Sequence, residues 1–355
     1  MFVSGAFANI PQNLINLPSL QAMPTILAIE SSCDETSAAV IQNSKILSNI
    51  IANQQIHELY GGVVPELASR EHQKNIVPVV DAALKQAGIA RHDLQAIAFT
   101  RGPGLLGALL VGVSFAKAMA AALEIPLIEV NHMQAHVLAH FIDAPRPSFP
   151  FLCLTVSGGH TQIVLVKDYL DMEIVGQSQD DAVGEAFDKS AKILGLPYPG
   201  GPLIDRHAAE GNPSAFKLPE VHMPGFDYSF SGIKTAFLNF IQKNVQKDPQ
   251  FVEKNLQDIC ASLQQHLIDV LLQPLQRAAA HYGIQNIAIA GGVSANSGLR
   301  SRLQAEAKKK NWQVFIPDFQ YCTDNAAMIA MAAHYKFLRQ DFAPADVGAL
   351  ARLVF

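Results

Sequence analysis

His132 and His136 stand four residues apart in Asn131-His132-Met133-Gln134-Ala135-His136. On a helix that spacing puts both imidazoles on one side, one turn apart, where they can share a metal ion. His140 continues the same face. The spacing fits a helix with core or surface histidines as well, and both readings stay open at this point. HExxH protease chemistry is unsupported, because its general-base glutamate would follow the first His, where Met133 stands. A third ligand is available in Cys322-Thr323-Asp324-Asn325, ahead of a helix predicted over 326–337. An N-cap aspartate before a run of alanines would look the same.

Ser157-Gly158-Gly159-His160-Thr161 and Gly291-Gly292-Val293 are glycine turns after apolar runs. A hairpin or a left-handed turn explains either one alone. Two in one chain, beside the polar turn at 31–36, point to a phosphate-bearing ligand held by backbone N–H groups. No GxxxxGK[ST] or GxGxxG is present, which argues against a Walker P-loop or a Rossmann site. Between the turns lie the acidic stretch 180–189 and Tyr198-Pro199-Gly200-Gly201-Pro202-Leu203-Ile204-Asp205, which fit helix caps and a ligand loop equally.

These residues need elements to hold them. An apolar strand at 26–29 enters the polar turn Glu30-Ser31-Ser32-Cys33-Asp34-Glu35-Thr36, and 37–41 predicts a returning strand. One helix is predicted over 66–88, ending at Gly88, and another over 105–123, stopping before Pro126. The second is rich in small residues (Gly107, Ala108, Gly112, Ser114, Ala116) that would let another helix approach closely. A short strand at 97–100 lies between them. The order then repeats with a strand at 151–156, a tight turn, a strand at 161–166, and later a strand at 287–290 followed by a helix from 297. Residues 243–254 read as a polar connector. Two hairpin-opened halves predict an α/β fold of two duplicated lobes with a ligand in the cleft between them.

The chain has 355 residues, enough for two domains, and its 49% apolar and 16% charged content describes a packed protein. A net charge of −5 lacks the basic balance usual for nucleic-acid binders. An RNA substrate would therefore need basic residues grouped locally, with Arg70, Lys74, Arg101, Lys234 and Lys308–Lys310 available, or a partner that supplies them. Cys33, Cys153, Cys260 and Cys322 form no CxxC pair, which excludes a cysteine zinc knuckle and fits a reducing compartment. No stretch is expected to reach the roughly 18 apolar residues of a membrane span. Residues 1–23 carry no Lys or Arg, so no signal or transit peptide is expected, and they read as a loose extension with Met23 as the natural start.

Several segments belong together: Ile29 to Thr36, Tyr60-Gly61-Gly62-Val63-Val64-Pro65-Glu66-Leu67-Ala68-Ser69-Arg70, Gly102-Pro103-Gly104, His132 to His136, Val156 to Thr161, Gly184-Glu185-Ala186-Phe187-Asp188-Lys189, Tyr198 to Pro202, Phe230-Ser231-Gly232-Ile233-Lys234-Thr235, Ala290 to Asn296 and Cys322 to Asn325. In this order, from about Pro24 to the C-terminus, they resemble the universal tRNA threonylcarbamoyladenosine transferase family, once labelled sialoglycoprotein endopeptidases. The resemblance implies the two-lobed actin/Hsp70/sugar-kinase fold, RNase H-like in each lobe. Residues 24–130 plus about 326–355 would form one lobe, and 131–325 the other, carrying the metal and nucleotide motifs. It implies one divalent ion, iron(II) or zinc, on His132, His136 and Asp324. It implies that Thr155, Val156, Ser157, Gly158 and Gly159 hold the phosphate and acyl part of the substrate, Thr155 mainly through its backbone, and that Asp188, Gly201, Asp205 and Asn296 contact the adenosine.

The implied reaction moves threonylcarbamoyl from threonylcarbamoyl-AMP to N6 of adenosine 37 in tRNAs reading ANN codons, releasing AMP, in the cytoplasm. Asp34 is the candidate for assisting proton removal. The implied partners are the tRNA anticodon loop, a smaller paralogous subunit and a P-loop ATPase subunit of the bacterial complex. The helix at 105–123 is a candidate pairing surface, although packing inside its own lobe explains it equally. The chain departs from common members at its N-terminal extension and at its tail, 347–355, which is shorter and less basic.

Overall fold

The computed structural model describes residues 24–219 and 223–354; the expected extension at 1–23 lies outside them. The chain opens with β1 (Thr25–Glu30), β2 (Thr36–Gln42) and β3 (Lys45–Ala52), then α1 (Pro65–Ala87), β4 (Ala96–Gly102), α2 (Leu106–Leu123) and β5 (Leu127–Asn131). After α3 (His132–Leu138) come β6 (Phe151–Val156), β7 (Thr161–Asp168) and β8 (Asp171–Gln177), with α4 (Val183–Ile193), α5 (Gly200–Ala208), α6 (Ser231–Val245) and α7 (Phe251–Tyr282). β9 (Asn286–Ala290), α8 (Ser297–Lys310), β10 (Gln313–Phe315) and α9 (Ala326–Leu338) follow. The first sheet runs β3-β2-β1-β4-β5 and the second β10-β9-β6-β7-β8. Read from opposite ends the two orders are the same. Each is an antiparallel meander whose first strand continues into two parallel strands. The duplication expected from the repeated motif is present strand for strand.

β1 is buried along its whole length, as a strand covered on both faces must be. Alternation sorts its residues. Leu27 and Ile29 join a core with Val79, Val80, Val113 and Ala116 of α1 and α2. Ile26 and Ala28 join another that contains Ala135 of α3, Ala326 to Ala333 of α9, and Phe151 and Cys153 of the second sheet. Period two places Glu30 on the Ile26–Ala28 face, toward α3 and α9. Rings of Phe141, Phe149, Phe151, Tyr169 and Tyr335 pack edge to face or stacked within this shared core.

Several expectations are corrected. The polar connector at 243–254 shrinks to 246–250, because α6 and α7 extend into it from both sides. α2 has 18 residues and a mean hydropathy of 1.9, so among the described residues one helix is long and apolar enough to cross a membrane. Here it belongs to the α/β layer: Ala108, Leu109, Gly112, Val113, Ala116 and Ala120 are buried, and Lys117 Nζ donates to the Val347 carbonyl at 3.0 Å. Gly107 abuts Ser69 of α1 and Gly112 abuts Ser31, so both serve packing within the lobe.

Candidate functional site

β5 delivers the chain directly into α3. Asn131 ends the strand and caps the helix, its Oδ1 accepting from Met133 N at 2.9 Å and Gln134 N at 3.2 Å. His132 and His136 are the first and fifth residues of that short helix, with ring centroids 4.7 Å apart and planes at 89°. Both rings are buried, and both present Nε2 to one oxygen, Asp324 Oδ1, at 3.3 Å and 3.2 Å. Asp324 is not the N-cap that its position ahead of α9 allowed. Asn325 takes that role, its Oδ1 accepting from Met328 N at 3.0 Å, which leaves Asp324 free to face the histidines. Ser37 and Asn49 of the first sheet fix the same helix start by accepting from Ala326 N and Ala327 N.

His140 does not join the pair. Its Nε2 meets the Ile289 carbonyl at 2.9 Å, and burial pushes its pKa down to about 4. Glu30, absent from the sequence-based set, does join. Its carboxylate lies 3.1 Å from His132 Nδ1 and accepts from Ser32 N and Thr100 Oγ1.

Two carboxylates, Glu30 and Asp324, shape the electrostatics of this cluster. Burial pulls the His132 pKa down, but Asp324 and Glu30 outweigh it and leave it well above the usual imidazole value. Burial dominates at His136 and lowers its pKa. At Asp324 burial would raise the pKa, and the two imidazoles reverse that and hold it low. The ligand atoms of His132, His136 and Asp324 lie within 4.8 Å of one another. Two imidazoles and one carboxylate on such a scale suit zinc or iron(II) and leave coordination positions open. These residues therefore fit a divalent ion.

Asp34 is half-buried in the β1–β2 turn, where it interacts with Cys33 and Glu35. Glu35 carries the perturbed carboxyl of this turn, its pKa held well above normal by burial and by the charges of Asp324 and Asp34. His72 of α1 pins the turn, with Nδ1 2.7 Å from Thr36 Oγ1 and Nε2 3.0 Å from the Cys33 carbonyl.

The two glycine turns abut. Thr155 and Val156 are buried strand residues, Thr155 in register with Gln162 and Ala290 and Val156 with Thr161, so the open part of the loop is 157–159. Ser157 Oγ accepts from Gly159 N and His160 N, and nothing lies within 4 Å of where a Cβ would stand on Gly158 or Gly159. Gly291, at φ 86°, lets its turn pass against the Val156 carbonyl. Gly184 at the start of α4 packs on the other side of the loop and donates to the Ser157 carbonyl at 3.2 Å.

The predicted adenosine-contacting residues form a chain of helix caps. Asp188 Oδ1 accepts from Gly200 N and Gly201 N at the start of α5. Asp205 accepts from Ser297 N, Ser297 Oγ and Gly298 N at the start of α8. Asn296 caps α8 at Leu299 N and donates to Gln264 Oε1 of α7 at 2.8 Å. Gln264 was not legible in sequence, because only the tertiary packing of α7 puts it there. Of the basic candidates, Arg70, Lys74 and Arg101 are paired with Glu66, Glu71 and Glu129.

Comparison with known proteins supplies the lineage. The family model described as TsaD, tRNA N6-adenosine threonylcarbamoyltransferase, matches residues 45–331. A protein of that name from Cytophaga hutchinsonii is 64% identical over 93% of this chain and 96% of its own length. Another from Christiangramia forsetii is 62% identical over 93% and 98%. The structure of full-length HypF in its phosphate- and nucleotide-bound form superposes with a TM-score of 0.60 at 12% identity, over 89% of this chain and 47% of that one. That likeness shows the fold, the two-lobed actin/Hsp70/sugar-kinase type. With its length matched almost end to end by such relatives, the chain belongs to the tRNA N6-adenosine threonylcarbamoyltransferase family.

Proposed function

We propose that this chain transfers a threonylcarbamoyl group from threonylcarbamoyl-AMP to N6 of adenosine 37 in tRNAs reading ANN codons, releasing AMP. A divalent ion, iron(II) or zinc, would be held by His132, His136 and Asp324. As a member of its family the chain is a transferase acting on tRNA. The observation that carries the finer reading is the convergence of two buried imidazoles and a carboxylate, with ligand atoms within 4.8 Å. An ion bound there supplies Lewis-acid polarisation and a template for the acyl group.

The chain's own groups do the rest. The 157–159 turn binds the phosphate and stabilises the charge it gains as the leaving group, chiefly through Gly158 N, since Ser157 N and Gly159 N donate within the turn. Asp188, Gly201, Asp205 and Asn296 line the corner where α5 meets α8 and hold the adenosine. An exocyclic adenine amine is a weak nucleophile, so alignment matters most. Its nitrogen bonds to the carbamoyl carbon, the bond from that carbon to the phosphate oxygen breaks, and AMP keeps the electron pair. Asp34 assists removal of the amine proton, with Glu35 beside it.

The target base sits in an anticodon loop, where it can splay out without breaking a duplex. Work on tRNA suits a cytoplasmic enzyme. A smaller paralogous subunit and a P-loop ATPase complete the proposed assembly, and exposed Leu106, Leu110 and Val77 on α2 and α1 offer the paralogue an apolar face. In this reading 24–130 with 326–355 forms one lobe and 131–325 the other; the seating of α9 on the first sheet supports that division.

The test uses metal-stripped protein, threonylcarbamoyl-AMP labelled in its threonine, and unmodified tRNA. Label should enter tRNA only after iron(II) or zinc is restored, and should not enter with His132→Ala or Asp324→Ala. ATP consumption on a small sugar with no label in tRNA would refute the reading. Full turnover by Asp34→Ala would remove Asp34 from its role.

A further inference from the structure

Glu30 is the unexpected residue of this molecule. It ends a strand that is otherwise wholly apolar apart from Thr25, and it is 0% exposed. A buried carboxylate persists only where its oxygens are satisfied and its charge has a use. Ser32 N donates to Oε1 at 2.5 Å, and Thr100 Oγ1 donates to Oε2 at 2.5 Å, so the turn after β1 and strand β4 fix its position. Oε2 then lies 3.1 Å from His132 Nδ1, with Ser32 Oγ 3.2 Å from the same nitrogen. His136 has no such support, since its Nδ1 is buried without a hydrogen-bond partner among the described residues.

We infer that Glu30 is a positioning residue for the metal centre, acting through His132. By accepting the Nδ1 proton it fixes the imidazole tautomer so that the Nε2 lone pair faces Asp324, 3.3 Å away. It also makes that nitrogen a stronger donor. A carboxylate behind a ligating histidine does this generally, and its loss weakens metal binding by about 10–100-fold. With a divalent ion bound and both rings neutral, the charges of Glu30 and Asp324 would balance it. His132 thereby becomes the anchoring ligand, and His136 the weaker one. The inference rests on the proposed metal site.

The experiment titrates the stripped full-length chain with Zn2+ against a chromophoric chelator, for wild type, Glu30→Gln, Thr100→Val and His132→Ala. AMP affinity and the urea unfolding midpoint of each metal-free protein are measured in parallel. Glu30→Gln keeps the side chain's size and should bind Zn2+ about 10–100-fold more weakly, with AMP affinity within twofold of wild type and a modestly lower unfolding midpoint, because the amide NH2 replaces one of the oxygens that accept from Ser32 N and Thr100 Oγ1. Thr100→Val, which frees one anchor of the carboxylate and leaves Glu30 in place, should show a smaller loss in the same direction and keeps the test open if Glu30→Gln does not fold. Unchanged Zn2+ affinity in Glu30→Gln, or in Thr100→Val where Glu30→Gln does not fold, overturns the inference. So does a loss of Zn2+ affinity that AMP affinity and the unfolding midpoint follow in proportion, which would mark a merely structural residue. If His132→Ala binds Zn2+ as tightly as wild type, the metal site itself is wrong, and the fault lies in the proposed function.

Discussion

Gly184 and Gly232 each occupy the second position of a helix, α4 and α6, and the same substitution should move them in opposite directions. A Cβ on Gly184 would stand 2.6 Å from the Ser157 carbonyl oxygen, 2.8 Å from Gly158 Cα and 2.9 Å from Gly158 N. All three are backbone atoms of the open glycine turn, roughly 1 Å inside an ordinary contact of about 3.5 Å. The turn cannot yield freely, because Gly184 N and the His160 carbonyl both hold Ser157. Overpacking of this kind costs about 1–3 kcal/mol, against which the better helix propensity of alanine returns at most about 1 kcal/mol. Gly184→Ala should therefore lose about 1–2 kcal/mol of stability. By pushing the turn off the phosphate it should also weaken AMP binding at least tenfold, about 1.4 kcal/mol. On Gly232 nothing lies within 4 Å of the new methyl group. Gly232→Ala should be neutral to about 1 kcal/mol more stable, with unchanged AMP affinity. Urea unfolding and calorimetric AMP titration measure both. Wild-type AMP affinity in a folded Gly184→Ala protein would show that the 157–159 turn is not the phosphate cradle.

Three further outcomes are expected. The unfolded chain takes up a proton at His140 near pH 6.5, which the folded chain refuses until about pH 4, so stability should fall by about 3 kcal/mol between those values. Urea midpoints across that range should show a shallower decline for His140→Gln. Phe151 is fully buried between two other rings, and Phe151→Ala should cost about 3–5 kcal/mol by chemical denaturation. Asn325→Ala removes the α9 cap next to Asp324, and should cost about 1 kcal/mol while also weakening Zn2+ binding in a chelator competition.

What the sequence made legible was local. The hairpin at the start, its echo at 151–166 and the late strand at 287–290 announce themselves by apolar runs and turn chemistry, whereas β3, β5, β8 and β10, which complete the sheets, are not among the predicted strands. His132 and His136 were legible because four residues along a helix fix a direction in space. Asp324 was ambiguous because Asp324 and Asn325 are both good caps in neighbouring positions, and only the start of α9 decides between them. Glu30 was hidden because its role needs the register of β1 together with the place where β5 ends. Asp188 and Asp205 fit caps and ligand contacts equally in the sequence; the structure shows which helix starts they cap, α5 for Asp188 and the distant α8 for Asp205. The α2 helix shows the converse, since its 18 apolar-rich residues run against the expectation of no span, and its packing on α1 and β4 gives it a place in the fold.

α9 lies on the first sheet although nearly 300 residues separate it from β1, and its docking holds Asp324 beside His136 and His132, encoded 188 and 192 residues earlier. A growing polypeptide that has not yet reached Asp324 holds both imidazoles, with Glu30 behind one of them, and lacks the third side chain of the cluster. If the proposed ion is held there, it can settle among all three side chains only once Asp324 has been made and α9 has docked, so a product truncated before residue 324 should not retain it.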